Sequence, residues 1–577
     1  MKKRFSVAKK LTAMTLAAAL LTGCGLSTAP TGGTTASGGA TEQTGGTTEL
    51  SGGTAQGTAP ADLPVTMETE ATYDASAPDM VYGARKGSSS AMASEAAEAY
   101  NWFYQPAPNA ETYEKAPENG FYITAASPLS TFSASVDTAS YANVRRMIEN
   151  GYSLSEIPAD AVRAEEFINY FRYNLNAPAK GEKFGLTTEM ADCPWNEKHK
   201  LLFVGMRTQD IDFSDKGDSN LVFLIDVSGS MDEDNKLPLL VKSFKQLTEN
   251  LTEKDRVSIV TYANGVETVL NGAKGSDKQE IFDALDSLEA SGGTGGEGGI
   301  QKAYELAESS FIDGGINRVI LATDGDFNIG ISDPDALQRL IESKRDSGVY
   351  LSVLGFGMGN YRDDMMQRLS QYGSGNYAYI DSLLEAKRVL VEEMGATLVT
   401  VAEDVKLQVE FNPEKVNAYR LVGYENRMLE ATDFNDDTKD AAEIGAGHSV
   451  VALYEIIEKG AADEIELRYG QQGEAAAEAT EFANEYALVK IRYKEPGESA
   501  SKLVEQVLDE SILTADAGEN LRFASLAAEF AMVLSNSQHK GTATLDGILE
   551  AYKTIDTGDD EYKNEFYYLV RKLSGKA

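Results

Sequence analysis

The stretch Asp226-Val227-Ser228-Gly229-Ser230 offers one carboxylate and two hydroxyls at alternate positions, directly after the apolar run Leu221-Val222-Phe223-Leu224-Ile225. Oxygen donors of this kind suit a hard divalent cation such as Mg²⁺, which wants near-octahedral oxygen ligands, few of them from protein, and keeps several waters. The spacing lets three side chains turn toward one point above the end of a buried strand. Ligand sites in open α/β sheets lie at the carboxyl ends of strands, so a parallel strand has to carry this loop. Further oxygens must then come from later strand-end loops. Thr294 stands in the glycine-rich segment 291–299, where glycines let backbone approach closely. Asp324 follows the strand-like run Arg318-Val319-Ile320-Leu321-Ala322-Thr323. The competing reading is that Asp and Ser after a strand simply cap the next helix. Three donor-bearing segments, each at a strand end, argue for the cation instead.

The set Asp226, Ser228, Ser230, Thr294 and Asp324 resembles the metal-ion-dependent adhesion site of von Willebrand factor type A (vWA) domains. The resemblance implies that the two serines and the threonine touch the metal or its waters, and that the aspartates act mostly through water. It also implies one coordination position left open for an Asp or Glu of a partner protein. The implied cofactor is a divalent cation, Mg²⁺ first, with Mn²⁺ and Ca²⁺ as alternatives. Glu297 and Asp326 are close enough in sequence to tune such a site.

The elements that must position these loops follow from periodicity. Leu240, Phe244, Leu247 and Leu251 keep one helical face, and Ile281, Leu285 and Leu288 mark another helix, as do Ala303, Ala307 and Phe311. Residues 256–262 and 349–356 read as strands, and 383–398 as a closing helix. Strands alternating with helices predict an α/β fold with a mostly parallel sheet covered on both faces, which is the Rossmann-like vWA domain that the resemblance implies. After residue 400 the period changes to two. Residues 404–411 predict a half-buried strand, and 450–457, 464–469 and 486–493 continue in that style, which predicts an antiparallel β-sandwich. Phe523, Leu526, Ala527, Phe530 and Leu534 form a nearly all-apolar helix that neighbours must cover. The expected division is 1–23 signal peptide, 24–110 tether, 111–218 N-terminal flanking module, 219–398 vWA domain, and 399–577 β-sandwich plus C-terminal helices.

The first 23 residues carry five basic groups (Lys2, Lys3, Arg4, Lys9, Lys10) and no acid, then an apolar stretch too short to span a bilayer. It ends in Leu21-Thr22-Gly23-Cys24, which resembles the bacterial lipobox. The resemblance implies cleavage before Cys24 and acylation of that residue, anchoring the chain at the extracytoplasmic face of a bacterial cell membrane. The following Gly/Thr/Ser/Ala segment cannot bury enough apolar surface to fold, and a flexible tether of ~90 residues reaches about 50 Å. Trp102-Phe103-Tyr104 is the one bulky cluster near its end.

The formal net charge of −38 repels phosphate backbones and excludes nucleic acid as a partner class. With Cys24 acylated, Cys193 has no cysteine to pair with and reads as a small buried apolar residue. The three histidines, His199, His448 and His539, are widely separated, which argues against a histidine zinc site or a Ser-His-Asp hydrolase. Asp433-x-Asn435-x-Asp437 opens like a calcium loop, but Thr438 stands where that template needs Gly and Ile444 where it needs Glu. It and Asp232-Glu233-Asp234 read as solvated loops. Asp137 and Ser140 read as residues of a helix start, accepting its orphan amide protons.

Two more segments carry resemblance. The run from Pro128 to Arg146 with Val162 to Phe171, and the series Gly423-Tyr424-Glu425-Asn426-Arg427, Asp433 to Asp437 and Gly445-Ala446-Gly447-His448, are similar to the modules flanking the vWA domain in certain bacterial lipoproteins. Together they imply a non-enzymatic, metal-dependent adhesion or scaffolding protein of the cell envelope. The alternatives are a metal-dependent hydrolase of phosphoester or acyl substrates and a purely structural, metal-stabilised role. Against the enzyme stand the absence of G-x-S-x-G at the strand–loop junction and of a P-loop Lys in 291–299.

Overall fold

The computed structural model describes residues 111–114, 116–210, 217–293, 298–325, 334–393, 398–463, 465 and 482–576. Its first part forms β1 (Tyr122–Ile123), β2 (Leu129–Ser133), helices α1 (Ala139–Glu149) and α2 (Ala164–Asn169), then β3 (Phe184–Asp192) and β4 (Lys200–Thr208). An α/β domain follows: β5 (Ser219–Asp226), α3 (Leu237–Glu249), β6 (Arg256–Tyr262), β7 (Val266–Lys274), α4 (Lys278–Asp286), α5 (Gly299–Ser309), β8 (Ile316–Thr323), α6 (Pro334–Asp346), β9 (Tyr350–Gly355), α7 (Asp363–Tyr372), β10 (Tyr377–Tyr379) and α8 (Leu383–Lys387). The last part holds β11 (Thr400–Phe411), β12 (Val416–Val422), β13 (Ala442–Gly445), β14 (Ser449–Glu458), β15 (Glu485–Lys494), β16 (Ser501–Asp509), α9 (Glu519–Leu534), α10 (Leu545–Tyr552) and α11 (Glu561–Leu573).

The α/β sheet has the order β10-β9-β8-β5-β6-β7 and is parallel except where β7 runs against β6. Leu221, Phe223 and Ile225 pack on one face with Leu240 and Phe244 of α3. Val222 and Leu224 pack on the other with Ile300, Ala303 and Tyr304 of α5. Burial on both faces is why such strands read as continuous apolar runs rather than as alternation. Strand β5 lies between β8 and β6, so the ends of both neighbours flank its own carboxyl end.

Two antiparallel sheets make the sandwich, one ordered β1-β12-β14-β4-β3 and the other β13-β11-β15-β16, with β2 paired to β11. Phe132, Val204, Leu407, Phe411, Tyr419 and Ile491 fill the space between them. The sandwich therefore draws strands from both sides of the α/β domain, whereas the sequence reading placed it after that domain. β4 pairs with β14 and β2 with β11. Periodicity describes one segment at a time and carries no record of pairing between distant segments. On the outer face of the first sheet, Leu201, Phe203, Val451 and Leu453 pack against Tyr141 of α1, Phe167 of α2 and Phe530, Ile548 and Phe566 of α9–α11. That is how the apolar helix α9 is covered.

Other expectations change at close range. Strand β11 is buried on both sides, because Lys406 of its outer face lies under the 433–436 loop and donates to the Asp436 carbonyl at 2.6 Å. Asp137 and Ser140 stand at the start of α1 but do not cap it, since Thr138 holds the cap position without a side-chain bond. Asp137 Oδ1 instead accepts from the Tyr377 amide at 2.9 Å, and Ser140 Oγ donates to the Ala161 carbonyl at 2.7 Å. Tertiary partners outcompete the local amides at both residues. Helix α8 is short and passes into a π-type turn at Arg388–Glu392. Cys193 is buried, and burial raises its thiol pKa. The expected strand 464–469, Trp102-Phe103-Tyr104 and Cys24 lie outside the described residues, Ile465 apart. Among the described residues no helix is long and apolar enough to cross a membrane.

Candidate metal centre

The site is built on the end of β5. Asp226 is fully buried there. Its Oδ1 accepts from the Ser228 amide at 2.9 Å, and its Oδ2 accepts from the Tyr262 hydroxyl at 3.2 Å and the Thr323 hydroxyl at 3.1 Å. One donor comes from its own loop and one from each neighbouring strand, so the carboxylate is held from three sides. Burial pushes its pKa up to about 6 even though the Ser228 bonds pull the other way. A 3-10 turn at Gly229–Asp232 brings the Ser228 and Ser230 hydroxyls to 3.0 Å from each other.

The glycine-rich loop follows helix α4 and not a strand, against the sequence reading, because α4 and α5 succeed one another without a strand between them; it is nevertheless zipped to the first loop. The Gly229 amide donates to the Gly292 carbonyl at 3.0 Å, and the Ser291 amide to the Val227 carbonyl at 2.8 Å. Gly292 has φ +77°, and a Cβ there would stand 2.0 Å from Asn264 Nδ2, so this crossing requires glycine. Thr294, Glu297 and Asp326 lie outside the described residues.

Asp324 directly follows β8 and is also fully buried. Its Oδ2 accepts from Lys236 Nζ at 3.0 Å and from Asn360 Nδ2 at 3.4 Å. The same ammonium donates to the Ser230 carbonyl at 2.9 Å, which links the first loop to the third. Gly325 has φ +104°, and a Cβ there would meet the Arg362 amide nitrogen at 2.6 Å. Asp226, Ser228, Ser230 and Asp324 are thus brought to one sheet edge.

Lys236, Tyr262, Thr323 and Asn360 were not singled out from sequence. Lys236 left a signal, a single cation after three acids and directly before the apolar start of α3. Thr323 left a weaker one, a hydroxyl next to Asp324 at the end of an apolar strand. Tyr262 and Asn360 left none, because only the strand order brings them here.

The donors are all oxygens, as a hard cation requires. The Ser228 and Ser230 hydroxyls, hydrogen-bonded at 3.0 Å, are close enough to serve one cation. The residues present fit a hard divalent cation.

A parallel sheet covered by helices, with this loop set on its edge, defines a vWA domain protein. The family model described as von Willebrand factor type A domain matches residues 220–392, that described as von Willebrand factor matches 107–203, and that described as Uncharacterized protein YfbK, C-terminal, matches 396–575. The uncharacterized protein YfbK of Escherichia coli (strain K12) is 42% identical over 477 residues, covering 81% of this chain and 82% of that protein. The chain belongs to the YfbK-like family, with its N-terminal module, vWA domain and YfbK C-terminal domain. Human inter-alpha-trypsin inhibitor heavy chain H3 is 27% identical over 194 residues, 32% of this chain and 22% of that protein. Among solved structures, a von Willebrand factor type A protein from Catenulispora acidiphila is 16% identical with a TM-score of 0.38, covering 70% of this chain and 91% of that one. Proximal thread matrix protein 1 of the mussel byssus, with zinc in its MIDAS motif, is 19% identical with a TM-score of 0.26, covering 33% and 46%.

Proposed function

We propose that this protein is a non-enzymatic adhesion or scaffolding module of the bacterial envelope, anchored by lipid at Cys24. Asp226, Ser228, Ser230, Thr294 and Asp324 hold a divalent cation, Mg²⁺ first with Mn²⁺ and Ca²⁺ as alternatives, and a carboxylate of a partner protein completes its coordination. The observation that carries this reading is the pair of hydroxyls 3.0 Å apart, set over one buried aspartate and facing a loop that holds a second. Membership of a family built around a vWA domain supports the protein-binding role. The lipobox-like Leu21-Thr22-Gly23-Cys24 supports the anchor.

Calorimetric titration of the purified chain with Mg²⁺ tests the site. A single saturable event is expected, absent from the Ser228→Ala/Ser230→Ala double variant. Undiminished binding in that variant refutes the ligand set. For the anchor, metabolic labelling with a fatty acid is expected to mark the wild-type chain and not Cys24→Ala.

A further inference from the structure

A cavity of about 180 Å³ opens where four segments meet: the approach to β1, the start of α2, the end of β12 and the end of α9. It shares no residue with the metal centre. Its lining holds five acids, Glu114, Glu118, Asp160, Glu165 and Glu425, against two bases, Arg163 and Arg420. The charges of both bases are answered outside it. Arg163 is bound to Glu166 and to Asp363, and Arg420 Nη2 donates to Glu455 at 2.8 Å, while its reach toward Glu118 is 3.9 Å. Glu165 has no such relief. It is 3% exposed, and its Oε2 accepts no hydrogen bond. Burial, reinforced by Glu425 and Glu166, pushes its pKa up to about 7 against the pull of the Tyr424 amide. Burial raises the pKa of Glu425 as well. Among the described residues no Lys or Arg forms an ion pair with either carboxylate. A carboxylate held out of water without a cation is costly, and it takes up a proton or acquires a partner from outside.

We propose that this cavity binds a primary ammonium on an aliphatic stem, either a lysine side chain of a partner protein or a free alkylamine. The ammonium pairs with Glu165 and Glu425, where charge-assisted hydrogen bonds are strong. Its stem lies along Val162, Val422 and Met532, which give the cavity an apolar wall, as the methylenes of lysine do elsewhere on apolar surface. A divalent cation would need oxygens converging on one point. Among the described residues three acids converge that closely at Asp404, Asp440 and Glu443, and not in this cavity, whose carboxylates are spread along its wall. The volume falls below the roughly 300–1,000 Å³ of clefts for drug-sized ligands, so the occupant is a single short chain.

The test is calorimetric titration of the full chain with n-pentylamine, and with n-pentanol as the uncharged control of the same length. Saturable binding of the amine is expected, at least about tenfold tighter than any binding of the alcohol, which cannot answer a buried charge. Glu165→Gln and Glu425→Gln are each expected to weaken the amine at least about tenfold. Glu114→Gln, at a carboxylate already met by Arg368 at 3.2 Å, leaves it unchanged. Both cavity variants keep the side-chain shape and relieve a buried charge, so an unshifted or raised melting temperature shows that they are folded. If the peptide Gly-Gly-Lys-Gly-Gly binds as the amine does, and its norleucine counterpart does not, the ligand is a protein lysine. Amine binding without peptide binding makes it a free amine. Equal amine affinity in wild type and Glu165→Gln overturns the proposal, as does an amine that binds no tighter than the alcohol. A Ca²⁺ isotherm lost in Glu165→Gln that pentylamine fails to compete assigns the cavity to a metal and overturns it too.

Discussion

The ammonium of Lys236 lies 3.0 Å from Asp324 Oδ2, and both side chains are all but sealed from solvent. A lysine thus supplies positive charge inside the proposed metal centre. Replacing it with Met removes that charge while keeping the apolar stem that lies along Gly357. The fold then holds Asp324 without its ammonium, a change that costs about 3–5 kcal/mol when one partner of a buried pair is removed. Lys236→Met is expected to lower the melting temperature without metal. A bound divalent cation replaces the lost charge, so saturating Mg²⁺ should raise the melting temperature more in the variant than in wild type. Equal metal-induced shifts in the two proteins would show that Lys236 and the cation do not share Asp324.

Thr323 never reaches the proposed metal, yet its hydroxyl donates to Asp226 Oδ2 at 3.1 Å and accepts from the Gly325 amide at 3.2 Å. It is a positioning residue, locking the orientation of one aspartate and the turn that follows the other. Residues that orient ligands this way change metal affinity by about 10–100-fold when removed. Thr323→Val keeps the shape and strand preference and deletes only the hydroxyl. Mg²⁺ affinity by calorimetry is expected to fall at least about tenfold, whereas Thr323→Ser recovers most of it. An unchanged affinity in Thr323→Val shows that Asp226 is held without this bond.

How far the sequence reveals this architecture depends on the range of each interaction. The α/β domain was legible because a doubly buried strand leaves an uninterrupted apolar run and a helix leaves a repeat. Residues 221–225 and the face Leu240, Phe244, Leu247 carry those marks in order along the chain. The spacing Asp226-x-Ser228-x-Ser230 was legible for the same reason, since all three sit on one turn. The sandwich was only half legible. Strand pattern is local, but the pairing of β2 with β11 and β4 with β14 spans the whole α/β domain. Tyr262 and Asn360 were hidden because strand order, not spacing, delivers them to the site. Asp137 was misread for a related reason. A helix-start aspartate looks the same whether it caps its own helix or receives Tyr377 and Arg427 from elsewhere, as it does here.

Arg145 of α1 is the centre of the seam between the flanking helices and the α/β domain. Its guanidinium meets Asp381 at 2.5 Å, Glu385 at 2.7 Å and Glu565 of α11 at 2.9 Å, and donates to Tyr170. Burial disfavours the charge of Glu385, but Arg388 and Arg145 outweigh it and hold its pKa at about 2. Arg145→Met leaves those acids facing one another with only Arg388 beside Glu385. Destabilisation of about 3–5 kcal/mol is expected in urea unfolding. A conservative Arg145→Lys restores charge but not the fork that serves several carboxylates at once, so partial recovery is expected. A cost below about 1 kcal/mol for Arg145→Met would class the seam with surface ion pairs.

The last prediction concerns pH. His199 is wedged between Glu455, 2.5 Å from its Nδ1, and Asp463, 3.1 Å from its Nε2, and the ring of Phe121 meets its edge at 5.4 Å. Arg420 holds the other oxygen of Glu455 at 2.8 Å. Burial works against a charged imidazole, but the two carboxylates outweigh it and the pKa rises. A base with a raised folded pKa binds its proton more tightly in the folded chain than in the unfolded one. Its contribution is therefore complete below the unfolded value of about 6.5 and is lost as pH climbs through the folded value. His199→Asn keeps a polar side chain without the charge. The stability difference between wild type and His199→Asn, read from urea midpoints, is expected to be largest near pH 6 and to shrink steadily toward pH 9. A difference that stays level across that range would mean the imidazole acts through packing against Phe121 and not through its two acids.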